Sequence, residues 1–312
     1  MRVIFMGSGE FAYPPFLSLI HSSKHDVVAV FTKMPQKKGR GLKLHKNVIH
    51  EKSLDNGIDT YTPNILDTET INLIKKIDAD LIIVVSYDKK IPSEILFDKK
   101  LGALNIHPSL LPKYRGASPI QHTILNKDLE TGVCIIKMDE KFDTGDIVIS
   151  KKLSIDHDWD YLNLSRKLSI IGSNLLLQLL IDFHDKNPIP QSRNNISYAH
   201  KFYAKDFYIN LKSEHITDID AKVRALKPYL SLSLEFQDKK FQVKQYQMRL
   251  SNNHHYEIGK VIIDYSFGKK LLLPCIGGIL ELEVIKPENS RTLLVKDFIN
   301  GLQSKKNAFC IS

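Results

Sequence analysis

Cysteine is scarce in this chain. Its 312 residues include 3, Cys134, Cys275 and Cys310, widely separated and with no CxxC pair. That excludes CxxC redox chemistry and argues against a disulfide framework. Long apolar runs are also missing. The best, Leu81 to Tyr87, is strand-sized and far short of the ~20 residues needed to span a bilayer. Met1 runs directly into a strand-like segment, without the cationic and apolar regions of a signal peptide, so the expected location is the cytoplasm and no membrane is expected as a partner. No internal repeat or low-complexity tract is visible.

What is present is ordinary globular composition, 43% hydrophobic and 25% charged residues, in a length that fits about two domains. The formal net charge is +9, from 44 Lys and Arg against 35 Asp and Glu. A surplus of this sign favours a polyanionic partner, although by itself it speaks to steering and solubility.

The first half alternates strand-like and helix-like periods. Val3-Ile4-Phe5-Met6, Val27 to Thr32, Leu81 to Val85, Ala103 to His107 and Val133 to Met138 are short apolar runs, and Ile71, Ile74 and Ile77 lie on one helical face. Near-continuous β-branched runs separated by helices predict a doubly wound, mostly parallel Rossmann-like α/β sheet. From Asn163 the spacing of Leu164, Leu168, Ile171, Leu175 and Leu179 predicts an amphipathic helix. Asn187-Pro188-Ile189-Pro190 ends it. Beyond about residue 206, short strand-like runs at Leu232–Phe236, Phe241–Gln245, Lys260–Asp264, Lys270–Leu273 and Ile279–Ile285 are punctuated by Gly259, Gly268, Gly277 and Gly278, with a final helix from about Val295. This predicts a small OB-like β-barrel. The expected organisation is a catalytic domain over 1–188, a linker over 189–206 and a β-barrel domain over 207–312.

Charge is uneven. Residues 207–312 hold 16 Lys and Arg against 11 Asp and Glu, about twice the net positive charge per residue of the remainder. Between Lys33 and Lys46 the cations Lys33, Lys37, Lys38, Arg40, Lys43 and Lys46 occur with no acid among them, and Gly39 and Gly41 predict a mobile loop. Such a run is either a solvated surface or a clamp on phosphates.

Two constellations bear on chemistry. Gly7-Ser8-Gly9-Glu10-Phe11-Ala12 fits the dinucleotide fingerprint GxGxxG/A after a strand, yet the second strand ends Val30-Phe31-Thr32-Lys33 without the acid that holds ribose hydroxyls. Lys33 suits a 2′-phosphate, so an NADP enzyme stays open at this point, beside a plain strand-to-helix turn. The second constellation is Asn105-Ile106-His107 at a strand end, then Pro108-Ser109-Leu110-Leu111-Pro112, then Asp143-Thr144-Gly145-Asp146. Alternation puts Asn105 and His107 on one side of the strand. A carboxamide, an imidazole and a carboxylate suit acyl transfer: the amide donates to a developing oxyanion, His107 donates or passes a proton, and Asp143 orients the imidazole. No Ser or Cys sits in a nucleophile elbow, which favours direct attack by a substrate amine. No HxxxH or Cys cluster supports a zinc site, and no metal is expected.

The stretch GALNIHPSLLPKYRGASPIQHTILNKDLETGVCIIKMDEKFDTGDIV resembles the formyltransferases that use 10-formyltetrahydrofolate, in the order Asn-x-His, Ser-Leu-Leu-Pro, Arg-Gly-Ala-x-Pro-Ile and Asp-Thr-Gly-Asp. The Gly-Ser-Gly-Glu-Phe turn and the Phe-Thr…Gly-Arg-Gly-x-Lys-Leu loop extend the likeness towards the members that act on an aminoacyl-tRNA, over essentially the full length. The resemblance implies that Asn105, His107 and Asp143 are catalytic. It implies that Ser109, Leu110, Leu111 and Pro112, with Tyr87 and Asp88, line the site of a 10-formyltetrahydrofolate co-substrate. It also implies that Lys37, Lys38, Arg40 and Lys43, with the basic C-terminal domain, hold a methionyl-initiator tRNA. The working unit is expected to be a monomer. Two positions depart from the family pattern: Asp88, where glycine is usual, and Ser8-Gly9-Glu10, in place of Thr-Pro-Asp.

Overall fold

The computed structural model describes residues 1–38, 43–183, 186–227, 233–236, 239–251, 255–265 and 268–304. The chain divides into one unit of Met1–Thr123, Asp128–His157 and Asn163–Lys201, and a second of Ile124–Lys127, Asp158–Leu162 and Phe202–Ser312.

Along the first part of the chain the elements are β1 (Arg2–Gly7), α1 (Gly9–Ile20), β2 (Asp26–Phe31), β3 (Gln36–Lys38), β4 (Lys43–His45), α2 (Val48–Asp55), β5 (Thr60–Tyr61), α3 (Thr68–Lys76), β6 (Leu81–Val85), α4 (Ser93–Leu96), β7 (Ala103–His107), β8 (Arg115–Gly116), α5 (Pro119–Leu125), β9 (Glu130–Lys137), β10 (Ile147–Ser154), α6 (Tyr161–Ile181) and β11 (Tyr198–Ala199). The central sheet has the order β10-β9-β7-β6-β1-β2-β5. Strands β5, β2, β1, β6 and β7 are parallel, whereas β9 and β10 join antiparallel at one edge. The apolar runs explain the centre: Val3–Met6 and Leu81–Ile83 are fully buried, as strands covered on both faces must be. The mostly parallel, doubly wound class expected from the sequence is the one adopted.

Helix α6 shows how one layer is fixed. Leu164, Leu168 and Leu179 of the expected stripe are fully buried. The seam also contains small residues: Ser165, Ser169, Gly172 and Ser173 are buried on the same helix. A Cβ at Gly172 would lie 2.8 Å from the Ile106 side chain, so glycine lets the helix lie directly on β7. By length and composition α6 is the one described helix apolar enough to cross a membrane, and 56% of that window is buried inside the protein.

The basic segment differs from the expected loop. Its described residues form the antiparallel hairpin β3/β4, pairing Gln36 with His45, Lys37 with Leu44 and Lys38 with Lys43. Alternating polar and apolar residues on its second arm suit a strand. Residues 39–42, Arg40 among them, lie outside the described residues, as does Cys310.

The second unit holds α7 (Ile216–Leu226), β12 (Ser233–Phe236), β13 (Lys239–Leu250), β14 (Ile262–Asp264), β15 (Lys270–Cys275), β16 (Gly278–Pro287), β17 (Leu293–Leu294) and α8 (Val295–Ser304). Its sheet is antiparallel, in the order β12-β13-β16-β15-β14, with β17 on β16. Ile216, Ile219 and Val223 of α7 and Ile299 of α8 pack with Val243, Leu271, Leu273, Leu280, Leu282 and Ile285. The β15–β16 hairpin closes through Ile276-Gly277, with Gly277 at φ 82°, a conformation that glycine adopts at little cost. The sequence reading missed α7, although Ile216, Ile219, Val223 and Leu226 have helical spacing. The intervening Thr, Asp and Lys mask that signal.

Candidate active site

The carboxyl ends of the parallel strands, where open α/β sheets bind ligands, carry the three polar residues singled out in the sequence. Asn105 and His107 end β7 on the same face, and Ile106 turns the other way, onto α6. Asp143 arrives from the turn between β9 and β10. The Asn105 Nδ2 donates to Asp143 Oδ1 at 3.2 Å, and His107 Nδ1 lies 3.5 Å from the same oxygen. The other carboxylate oxygen accepts the Gly116 N–H at 2.8 Å. All three groups meet at one carboxylate.

The imidazole's hydrogen assignment follows from its neighbours. His107 Nε2 is 3.0 Å from the Tyr114 carbonyl; a carbonyl only accepts, so Nε2 carries the hydrogen. That leaves Nδ1 as the nitrogen facing Asp143. His107 is 3% exposed, and its ring is held through Nε2. The loop after β7 supplies the carbonyl. Tyr114 sits at φ 63°, its N–H donates to Ser197 Oγ at 2.9 Å and its hydroxyl to Asp128 Oδ2 at 2.7 Å.

Each letter of Asp-Thr-Gly-Asp has a job in the turn. Asp143 adopts φ 54°, in the left-handed region that Asp tolerates better than most residues. Thr144 Oγ1 donates to the Asp139 carboxylate at 2.7 Å. A Cβ at Gly145 would collide with the Lys137 carbonyl. The Asp146 carbonyl accepts the Lys137 N–H at 2.9 Å, closing the hairpin. Gly116 is equally constrained: its φ is 119° and a Cβ would meet the Ala199 carbonyl at 2.7 Å.

A small cleft of about 40 Å³ opens at Asp143, well below the ~300–1,000 Å³ of a full small-molecule site. Ile91, Ile136 and Met138 give it apolar walls, and Lys90, Asp139, Glu140, Lys141 and Phe142 its polar and aromatic rim. Tyr87 packs against the same apolar cluster as Ile91 and Met138, and its buried Oη has no hydrogen-bond partner. Burial pushes the Tyr87 phenol well up, with the Asp88 charge adding to it, so it stays a neutral donor. Asp88 itself pairs with Lys89 at 2.9 Å and with Lys33 at 3.6 Å. Burial raises its carboxyl, but the hydrogen bond and charge of Lys89 and the charge of Lys33 outweigh that and hold it below the usual range.

Ser109 to Pro112 occupy other positions. Ser109 is fully buried and its Oγ donates to the Lys113 carbonyl at 2.6 Å. Leu111 packs with Cys134 and Ile136. Leu110 lines a separate cleft with Lys113, Tyr114, Asp128, Leu129, Glu130 and Thr131. Pro112 follows a cis peptide bond. The sequence reading missed Lys90, Ile91, Met138 and Phe142. Ile91 follows closely on β6, where the topology places ligands, so that signal was available; Phe142 next to Asp143 carried none.

Among the described residues no cysteine lines the cleft at Asp143. Burial pushes the Cys134 thiol up to about 11, against a smaller opposing effect of the Leu111 N–H. Among the described residues no group of three His, Cys, Asp or Glu is placed to hold a metal ion. At the fingerprint-like turn, Ser8 Oγ accepts the Lys33 N–H at 3.1 Å and lies 3.2 Å from Thr32 Oγ1. Asn47 reaches both Thr32 and the Lys33 carbonyl while capping α2. These polar groups tie together the two ends of the basic hairpin.

Comparison with known proteins agrees with the fold. The family described as formyl transferase matches residues 1–180, and the formyl transferase C-terminal domain matches 201–303. A methionyl-tRNA formyltransferase from Rickettsia prowazekii is 40% identical over 308 residues, 98% of this chain and 99% of its own length. Among solved structures, HypX from Aquifex aeolicus in complex with tetrahydrofolic acid aligns with a TM-score of 0.66 at 16% identity; the match covers 98% of this chain but only 48% of that longer one. A methionyl-tRNA formyltransferase from Clostridium thermocellum aligns with a TM-score of 0.57 at 18% identity, covering 80% of this chain and 94% of its own. The chain belongs to the formyl transferase family, and its full-length likeness is to the methionyl-tRNA formyltransferases of that family.

Proposed function

We infer that this enzyme transfers the formyl group of 10-formyltetrahydrofolate to the free α-amine of methionyl-initiator tRNA. The observation that carries the chemistry is the convergence of Asn105, His107 and Asp143 on one carboxylate at the mouth of a cleft. At that cleft Ile91, Ile136 and Met138 offer an apolar surface to a flat ring, and the unpartnered Tyr87 hydroxyl lies in the same apolar cluster as Ile91 and Met138. When bound, the folate supplies an electrophilic formyl carbon to the acceptor amine.

The chain's own residues do the rest. Asn105 spends one amide hydrogen on Asp143 and keeps the other for the formyl oxygen as negative charge develops there. His107 presents Nδ1, because Nε2–H is committed to the Tyr114 carbonyl. A proton released by the amine is held at Nδ1 beside the Asp143 carboxylate and passes to the tetrahydrofolate nitrogen, which leaves as its bond to the formyl carbon breaks. Asp143 fixes the imidazole and the carboxamide together. Ser109 to Pro112 support the site by carrying the chain to Tyr114, and Tyr87 and Asp88 by bordering the pterin region.

The tRNA is held by the basic segment that carries Lys37, Lys38, Arg40 and Lys43, and by the basic second unit. The proposed working unit is a monomer acting in the cytoplasm. The test offers labelled 10-formyltetrahydrofolate with methionyl-tRNA, glycinamide ribonucleotide and an amino-sugar nucleotide side by side. Label is expected in methionyl-tRNA alone; transfer to either small acceptor in its place would sink the reading.

A further inference from the structure

The stretch between the two family matches, expected from its polar composition to be a linker, carries a side chain that grips the catalytic turn. Gln191 Nε2 donates to the Asp143 carbonyl and to the Gly145 carbonyl, each at 2.8 Å. Its Oε1 accepts from Arg115 Nε at 3.0 Å and Nη2 at 2.7 Å. The orientation of the amide is unambiguous, because carbonyls only accept and a guanidinium only donates. Both hydrogens and both lone pairs are used. Arg115 is 9% exposed and precedes Gly116, whose N–H binds the Asp143 carboxylate. A closed ring results: Asp143 carboxylate, Gly116, Arg115, Gln191, Asp143 carbonyl. Two backbone contacts hold the stretch in place. Ile189 exchanges both backbone hydrogen bonds with Ile147 at 2.8 Å, and Tyr198–Ala199 pairs with Arg115–Gly116.

We propose that Gln191 is a positioning residue for formyl transfer: it fixes the Asp143 turn so that the carboxylate meets Asn105 and His107, and Arg115 holds Gln191 in that pose. The proposal rests on the formyl-transfer reading and deepens it. Gln191 touches no reacting atom; it acts through Asp143, whose left-handed backbone needs neighbours to hold it.

Two substitutions separate this role from simple anchoring of the connector. Gln191→Ala removes both halves of the clasp. Gln191→Glu keeps and strengthens the pairing with Arg115, but turns an acceptor towards the two carbonyls. Both variants are expected to lower kcat about 10–100-fold, as misplacement of a catalytic group does. KM for methionyl-tRNA and for the folate should move little. In an Asp143→Asn background, Gln191→Ala should add almost nothing, because both changes act on one group. A Gln191→Glu enzyme with wild-type kcat would overturn the proposal, as would a loss confined to KM for tRNA. Because Gln191→Glu retains the Arg115 pair, it keeps the test decisive if Gln191→Ala fails to fold. A second readout needs no substrate: exchange of the Gly116 and Lys137 amides, bonded to Asp143 and Asp146, is expected to be faster in both variants. Unchanged exchange would defeat the grip even if the wild-type enzyme proved inactive on methionyl-tRNA, which would instead defeat the functional reading.

Discussion

Asp143 serves two neighbours with one oxygen and a backbone N–H with the other. Replacing it by Asn preserves shape and tolerates the positive φ, but removes the charge that faces His107. Asp143→Asn is therefore expected to fold with a somewhat lowered melting midpoint, because its amide nitrogen faces an N–H that the carboxylate accepted, and to lose about 10²–10⁴ in kcat, the usual worth of an acid–base group. Asn105→Ala should lose about 10²–10³, as for one oxyanion donor. Steady-state kinetics checks both, and near-normal turnover in either would remove that residue from the chemistry. Much of this was legible in the sequence, since strand alternation alone puts Asn105 and His107 on one side. Two things were not. The commitment of Nε2 to the Tyr114 carbonyl depends on a left-handed residue seven positions away, and Gln191 reaches Asp143 across 48 positions. Periodicity carries no information about a contact of that kind.

Helix α1 contains Pro14 and Pro15, and a proline inside a helix leaves the carbonyl four residues earlier without its partner. For Pro15 that carbonyl belongs to Phe11. It is buried, and Ser169 Oγ from α6 donates to it at 2.6 Å. The sequence predicted the leucine stripe of α6 because apolar period is a property of one helix. The serines between the leucines answer a defect in a different helix, which no local pattern reports. Ser169→Ala should leave the Phe11 carbonyl buried and unsatisfied, costing about 1–3 kcal/mol. Chemical denaturation of the full chain measures this, and a cost near zero would mean that another donor replaces the serine.

Helix α5 adds a pH dependence. Burial lowers the His122 pKa, only partly offset by its bond to the His200 carbonyl. A base depressed in the folded state takes up its proton first in the unfolded chain. Its stability contribution is therefore complete above about pH 6.5 and is lost as pH falls below it. His25 and His50 are lowered in the same direction, also by burial first. His122→Gln, which retains a donor for the His200 carbonyl, is expected to shrink the fall in thermal midpoint between pH 7.5 and 5.5 without abolishing it. A fall as large as in the wild type would assign the dependence to the other histidines.

Over the whole molecule, a net charge of +9 is too small to define a binding face; its distribution is more informative. The hairpin carries Lys37, Lys38 and Lys43 on strands that the Ser8, Thr32 and Asn47 cluster ties at the base, while residues 207–312 hold 16 Lys and Arg against 11 Asp and Glu. Phosphate contacts add through counterion release, and each lost contact lowers the slope of log affinity against log salt by about 0.7–0.9. Neutralising Lys37, Lys38 and Arg40 together should weaken methionyl-tRNA binding and flatten that slope by about 2–3 if all three meet phosphates. It should leave kcat at saturating tRNA nearly intact, since none of the three belongs to the Asn105, His107 and Asp143 constellation. Equilibrium binding from about 50 to 200 mM salt distinguishes the alternatives. An unchanged slope with unchanged affinity makes the hairpin a solvated surface. Weaker binding at unchanged slope means that the lysines order the hairpin and do not touch the backbone. Only a joint loss of affinity and slope makes it the phosphate clamp that the acid-free run from Lys33 to Lys46 led us to expect.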